Sequence, residues 1–116
     1  MPARFPARKL PDSALELIAT RFKALSEPVR LKLIIALEEG EKNVSELVAA
    51  SGKSQANISR QLKQLEDAGI LSRRREGTHI FYSISDPAIF VLCEQVCGSL
   101  HRQFQATERI TRALKR

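Results

Sequence analysis

The stretch from Ser45 to Ile84 constrains the fold most, because it holds two helical apolar patterns separated by a very short break and then changes period. Ser45 opens a short helix over residues 46–51, which Gly52 closes; two residues later Ser54 caps a further helix that runs to about residue 68 and stops at Gly69. A serine oxygen satisfies free first-turn N–H groups, and glycine accepts the left-handed backbone that ends a helix. Two helices joined by so short a glycine-containing turn have the helix-turn-helix pattern. Beyond Gly69, residues 70–75 and 78–84 read as two strands rich in β-branched and aromatic side chains, joined around Glu76-Gly77. They predict a hairpin, the wing of a winged helix.

Helices are expected on both sides of this unit. Asp12 caps a first helix over 13–25, with Leu15, Ile18, Ala19, Phe22 and Leu25 at spacings of three and four. Ser26 caps a second, whose opening Glu27-Pro28 places a carboxylate and a proline where a helix start favours them; Val29, Leu33, Ile34 and Leu37 form its apolar face and Gly40 ends it. Asp86 caps a last helix over 87–114, with Ile89, Phe90, Cys93, Val96, Cys97, Leu100 and Phe104 in one apolar band. A helix this long outruns the core of a small domain, so part of the band is expected to face another subunit.

A chain of 116 residues supports one modest core, so 12–116 is read as one domain behind a basic, proline-spaced arm over 1–11 that carries Arg4, Arg8 and Lys9. Nineteen Lys and Arg against thirteen Asp and Glu give a formal charge of +6, a bias toward polyanions. The longest apolar run, residues 33–37, is far shorter than the roughly 18 residues of a membrane span, and the basic start lacks the apolar stretch of a secretory signal. A cytoplasmic protein is expected. Two cysteines are too few for a disulfide framework.

In the fourth helix Ile58, Leu62 and Leu65 share one side, Asn57, Arg60, Lys63 and Gln64 project to the other, and Gln55 and Ser59 lie on a flank near its start. Gln and Asn can pair with adenine edges and Arg with guanine, while Ser and Lys suit phosphate. Ser54 and the free N–H groups of the first turn could hold a phosphate as well. Such a face is also ordinary for a solvated helix; the helix order and the adjoining hairpin tilt the reading toward double-stranded DNA. Arg73, Arg74, Arg75 and His79 in the hairpin are expected along the DNA backbone or in the minor groove. Three consecutive arginines alternate faces on a strand, so at most two can follow one phosphate track.

The run Ala24-Leu25-Ser26-Glu27-Pro28-Val29-Arg30-Leu31-Lys32-Leu33-Ile34 resembles the second helix of the ArsR/SmtB family of bacterial repressors. Ser54-Gln55-Ala56-Asn57-Ile58-Ser59-Arg60-Gln61-Leu62-Lys63-Gln64-Leu65, with Ala68-Gly69-Ile70-Leu71 after it, is similar to the family's recognition helix and first wing strand, and Gly77 and Phe81-Tyr82-Ser83-Ile84 to its wing. The resemblance implies a mainly α winged helix-turn-helix of five helices and a two-stranded wing. It also implies a homodimer through the first and last helices, and repression of transcription that an effector relieves. It assigns base and backbone contacts to Gln55, Asn57, Ser59 and Arg60. For the interface, the apolar spacings offer Leu15, Ile18, Phe22, Ile89, Cys93, Val96 and Leu100.

The family's familiar effector sites are missing. The third helix carries Val44-Ser45-Glu46-Leu47-Val48 and no cysteine pair. The last helix has Asp86-Pro87-Ala88 and His101-Arg102-Gln103-Phe104 rather than Asp-x-His and His-x-x-Glu, and the second helix has no cysteine. What remains is Cys93, Cys97 and, more weakly, His101 at steps of four, about 6 Å apart along a helix axis. Two of them could chelate one soft ion, arsenite or antimonite ahead of Cu(I) or Cd(II), completed by thiolates from a second subunit. Alternatively the cysteines pack as small hydrophobes or respond to thiol redox state. A different function, a winged-helix module for protein assembly or nonspecific DNA architecture, would be insensitive to changes at Arg60 and Gln55. An enzyme is not expected, since neither a nucleophile–base pair nor a glycine-rich phosphate loop is legible.

Overall fold

The structure is a computed structural model that describes residues 9–115. It divides into two units, one up to Ser85 and one from Asp86 onward, taken separately below. Most of the arm expected over 1–11 lies outside the described residues, including Arg4 and Arg8.

In the first unit the order is α1 (Asp12–Ala24), α2 (Pro28–Ala36), a 3-10 turn (Leu37–Glu39), β1 (Lys42–Asn43), α3 (Val44–Ser51), α4 (Gln55–Asp67), β2 (Leu71–Glu76) and β3 (His79–Ile84). Its core is the apolar side of these elements: Leu33, Ile34, Leu47, Ile58, Leu62, Leu65 and Ile70 are fully buried, with Leu37, Leu71 and Tyr82 nearly so. The three apolar residues expected beneath the fourth helix are thus the ones that fasten it down.

Several helix starts differ from the expectation. Asp12 is the first residue of α1 rather than its cap, and the Pro11 carbonyl accepts from the Ala14 and Leu15 amides. Ser26 does not cap α2; its hydroxyl donates back to the Lys23 carbonyl at 2.6 Å, and Glu27 takes the cap position. Ser45 does not open α3 either. Asn43 does, in a reciprocal capping box: its Oδ1 accepts from the Glu46 amide at 2.9 Å while Glu46 Oε1 accepts from the Asn43 amide at 3.0 Å. Two orphan donors are satisfied at once, which a single serine two residues later could not do. Ser54 does cap α4, accepting from the Asn57 amide at 3.2 Å.

The turn between α3 and α4 is held from inside. Gly52 takes φ +71° and its amide donates to the Val48 carbonyl; buried Ser51 donates to the same carbonyl at 3.0 Å and accepts from the Lys53 amide at 3.1 Å. At the far end of α4, Gly69 at φ +77° donates to Glu66 O and Ile70 to Leu65 O, a Schellman closure with Ile70 and Leu65 buried together. This closure delays the first wing strand to Leu71.

The sheet has three strands in the order β1-β3-β2, not two. Lys42 pairs with Tyr82 and Asn43 with Phe81, so the residue that caps α3 also joins the wing. A two-residue strand is too short to show alternation in sequence. Within the hairpin Glu76 pairs with His79, leaving Gly77-Thr78 as the loop, so β3 begins one residue later than expected.

The second unit is α5 (Ala88–Leu114), 27 residues and about 40 Å long. Asp86 does not cap it: the cap position falls to Pro87, one residue later than expected, and Asp86 Oδ1 accepts from the Ala88 amide at 2.9 Å from just outside the helix. Of the expected interface residues on α5, Ile89 is buried. Val96 and Leu100 are exposed and Cys93 is half-buried, and Val91, Phe104, Ile110 and Leu114 add further exposed apolar surface. Among the described residues no helix is long and apolar enough to cross a membrane.

Candidate nucleic-acid interface

Successive residues of an α-helix turn by about 100°, which fixes what α4 can present once Ile58, Leu62 and Leu65 face the core. Arg60 and Lys63 then point away from it and Gln55 and Ser59 flank them; all four are exposed. Lys63 pairs loosely with Asp67 at 3.9 Å, a bond between two exposed side chains that DNA could displace at little cost. Ser54 sits exposed at the helix start beside the free first-turn amides.

Asn57 differs from the other expected reading residues. It lies on the flank that faces α2, half-buried beside a cleft of about 360 Å³ lined also by Glu27, Pro28, Val29, Lys32 and Lys53. Its Oδ1 is shut from solvent without a hydrogen-bond partner among the described residues. Gln64 shares that flank, and so does Gln61, which is buried.

Arg30 of α2 meets this flank. Its Nε donates to Gln61 Oε1 at 2.8 Å, one terminal nitrogen donates to Gln64 Oε1, the other to the Ala24 carbonyl at 3.2 Å, and Glu27 lies 3.3 Å from Nε. Neither Arg30 nor Gln61 emerged from the sequence patterns. The signal was present: a charged residue beside the apolar Val29 and Leu33, and an amide beside Ile58 and Leu62, each need a buried partner.

The strand pairing separates the three wing arginines. Arg73 and Arg75 share the face of Tyr82 and Ile80, and Arg74 lies on the opposite face over Phe81, 4.8 Å from the ring centroid. Arg74 is also engaged by two carboxylates, Glu41 across the sheet and Glu76 at 2.7 Å. These contacts raise the Arg74 pKa further, and the Arg74 hydrogen bond holds the Glu41 carboxyl below its usual range. Because the folded-state pKa is lowered, the tie is intact above the ordinary carboxylate pKa and is lost only as pH falls through the lowered one. Arg73 lies 3.3 Å from Glu66 of α4. Arg75 has no carboxylate within pairing distance among the described residues, and His79 is exposed at the start of β3. Of the expected wing contacts, Arg75 and His79 are therefore open, Arg73 is half-engaged and Arg74 is committed to the wing itself.

On α5, Cys93 is half-buried, and burial pushes its thiol up from the ordinary range; Cys97, one turn on, is exposed. Among the described residues no three His, Cys, Asp or Glu side chains are gathered as a metal site, so His101 does not join both thiols.

Residues 27–73, which span α2, α3, α4 and the start of β2, match the profile described as "Bacterial regulatory protein, arsR family". A biofilm growth-associated repressor of Xylella fastidiosa (strain 9a5c) is 37% identical over 92 residues, covering 79% of this chain and 77% of that protein. The chain belongs to the ArsR family. For another relative of equal identity the match spans 65% of that protein's length. Among solved structures, the homodimeric winged helix-turn-helix DNA-binding domain Mb0332 of Mycobacterium bovis, described as a possible ArsR-family transcriptional regulator, superposes with a TM-score of 0.71 at 27% identity, covering 90% of this chain and 95% of that one. The AntR antimony-specific transcriptional repressor superposes with a TM-score of 0.73 at 28% identity, covering 90% and 99%. Against this ArsR frame α4 is the second helix of the helix-turn-helix and β2-β3 the wing.

Proposed function

We propose that this ArsR-family chain is a homodimeric repressor that holds operator DNA through α4 and the wing and releases it when an effector binds. The carrying observation is the division of α4: a fully buried underside of Ile58, Leu62 and Leu65 beneath an exposed row of Gln55, Ser59, Arg60 and Lys63. Ser54 and the first-turn amides take a phosphate, Gln55 and Arg60 read base edges, and Lys63, Arg75 and His79 follow the backbone. On α1, Leu15 and Phe22, 47% and 55% exposed, with half-buried Ile18, and separately on α5 Val96 and Leu100, with half-buried Cys93, supply apolar surface for a second copy. Two copies would present their α4 helices to major grooves about one helical turn apart on a palindrome.

Salt and sequence test this reading together. If Arg60, Lys63 and Arg75 of each protomer displace counterions, operator affinity falls with a log–log salt slope of about −5. Gel-shift titrations should show that slope, and an operator duplex should outcompete random duplex. A flat salt response with no sequence preference would remove the function.

The effector reading is a soft thiophilic ion, arsenite or antimonite first, held by Cys93 and Cys97 with completion from a second copy. The likeness to an antimony-specific repressor and two thiols one turn apart support it. Burial keeps the Cys93 thiol protonated, and arsenite or antimonite, entering as a trihydroxide, takes each thiol proton away as water, so its affinity should change little with pH below the thiol pKa, whereas Cd(II) or Cu(I) would release protons and bind more tightly as pH rises. Cys93→Ser and Cys97→Ser are expected to bind operator as the wild type does and to lose release by antimonite. Undiminished release of operator by antimonite in the double variant, followed by fluorescence anisotropy, would clear the cysteines of this role.

A further inference from the structure

Arg30 is a charged group inside a small protein, with 14% of its side chain exposed, and its contacts go to three elements. Its guanidinium bonds two amides of α4 one turn apart, Gln61 and Gln64, and the Ala24 carbonyl in the last turn of α1, from a position held by Glu27 at the start of α2. A guanidinium is planar and its donors are fixed in direction, so groups that satisfy it together cannot shift independently.

The remaining attachments of α4 are of another kind. Ile58, Leu62 and Leu65 hold it by apolar burial, which is non-directional and leaves rotation and sliding of the helix soft. The Arg73–Glu66 pair is half-exposed and too weak to set a pose. Asn57, on the same flank as Gln61 and Gln64, has no hydrogen-bond partner for its Oδ1 among the described residues. Base reading tolerates misplacement of only about 0.5 Å and 10–20°. The hydrogen bonds of the α3–α4 turn and of the Gly69 closure fix the two ends of α4; along its length Arg30 supplies the directional contact to α1 and α2.

We propose that Arg30 is a positioning residue: through Gln61 and Gln64 it fixes the pose of α4 against α1 and α2, and so sets discrimination between operator and random duplex without touching DNA. This rests on α4 being the reading helix. Through the Ala24 carbonyl the same guanidinium also ties α1, so the helix that carries exposed Leu15 and Phe22 and the helix that reads DNA share one anchor.

The test compares wild type, Arg30→Met, Arg30→Lys, Gln61→Leu and, as reference, Gln55→Ala. Each is titrated by fluorescence anisotropy with a selected operator duplex and its shuffled counterpart at several salt concentrations, after thermal unfolding has shown which variants are folded. Arg30→Met and Gln61→Leu are expected to lower the operator-to-shuffled affinity ratio by about tenfold or more, the scale of a lost charged hydrogen bond, with an unchanged salt slope on shuffled DNA. Arg30→Lys keeps the charge but loses the fork, and should follow Arg30→Met. Should Arg30→Met fail to fold, Gln61→Leu decides alone.

Equal loss on both duplexes with a slope shallower by about one would make Arg30 a phosphate contact and overturn the proposal. An unchanged ratio in a folded Arg30→Met or Gln61→Leu protein would overturn it too, provided Gln55→Ala lowers the ratio. If Gln55→Ala also leaves the ratio unchanged, the reading of α4 itself has failed.

Discussion

Leu62→Ala is expected to lower the unfolding free energy by about 2–5 kcal/mol, a large share of the roughly 5–15 kcal/mol that holds a domain of this size together. Leu62 is fully buried in the middle of α4, between the equally buried Ile58 and Leu65. Truncation removes apolar contact and leaves a cavity that the helices around it cannot close without moving α4. The urea midpoint should fall at constant slope when variants are compared at one protein concentration. Ser59→Ala, on the exposed side of the same helix, should stay within about 0.5 kcal/mol of wild type. A cost under about 1 kcal/mol for Leu62→Ala would mean that α4 is not anchored by its underside.

The contrast between Leu62 and Ser59 shows what kind of information the sequence carried. Wherever structure follows from near neighbours, the pattern was legible: the apolar row of α4, the Ser54 cap, the Gly52 and Gly69 stops, and the β-branched and aromatic content of the hairpin around Glu76-Gly77. Rival caps within two residues of one another were harder. Asn43 and Ser45 are both good caps, and the choice falls to Asn43 because Glu46 returns its hydrogen bond and because β1 pins Asn43 to Phe81. That second reason is a long-range one, invisible locally.

The site divides in the same way. Exposure of Ser59, Arg60 and Lys63 follows from helical period, while Gln55, seven residues before Leu62 and so on nearly its side, is exposed because it lies at the first position of the helix. The engagement of Arg74 by Glu41, 33 residues away, and of Arg30 by Gln61, 31 away, depends on how the elements pack, and no spacing rule reports it. Asn57 was placed with the reading residues because 3.6-residue geometry puts it near the edge of the outward face; packing against the α2 side turns that edge inward. The third strand was missed for its brevity.

The second large effect concerns the proposed reading face. Gln55→Ala combined with Arg60→Ala removes two base contacts per protomer while leaving the core, the Ser54 cap and the Arg30 anchor untouched. A bidentate base contact is worth about 1–3 kcal/mol of discrimination, so four lost contacts in a dimer should weaken operator binding by about 10³-fold or more. Binding to random duplex, dominated by phosphate contacts, should fall far less, with only the Arg60 charge missing.

The decisive measurement is a competition titration of the wild type and this double variant against a selected operator duplex and a duplex of the same composition in scrambled order. The account predicts strong preference for the operator in the wild type and a collapse of that preference in the variant, whose stability stays near the wild-type value. Equal preference in the two proteins, or none in either, would contradict it.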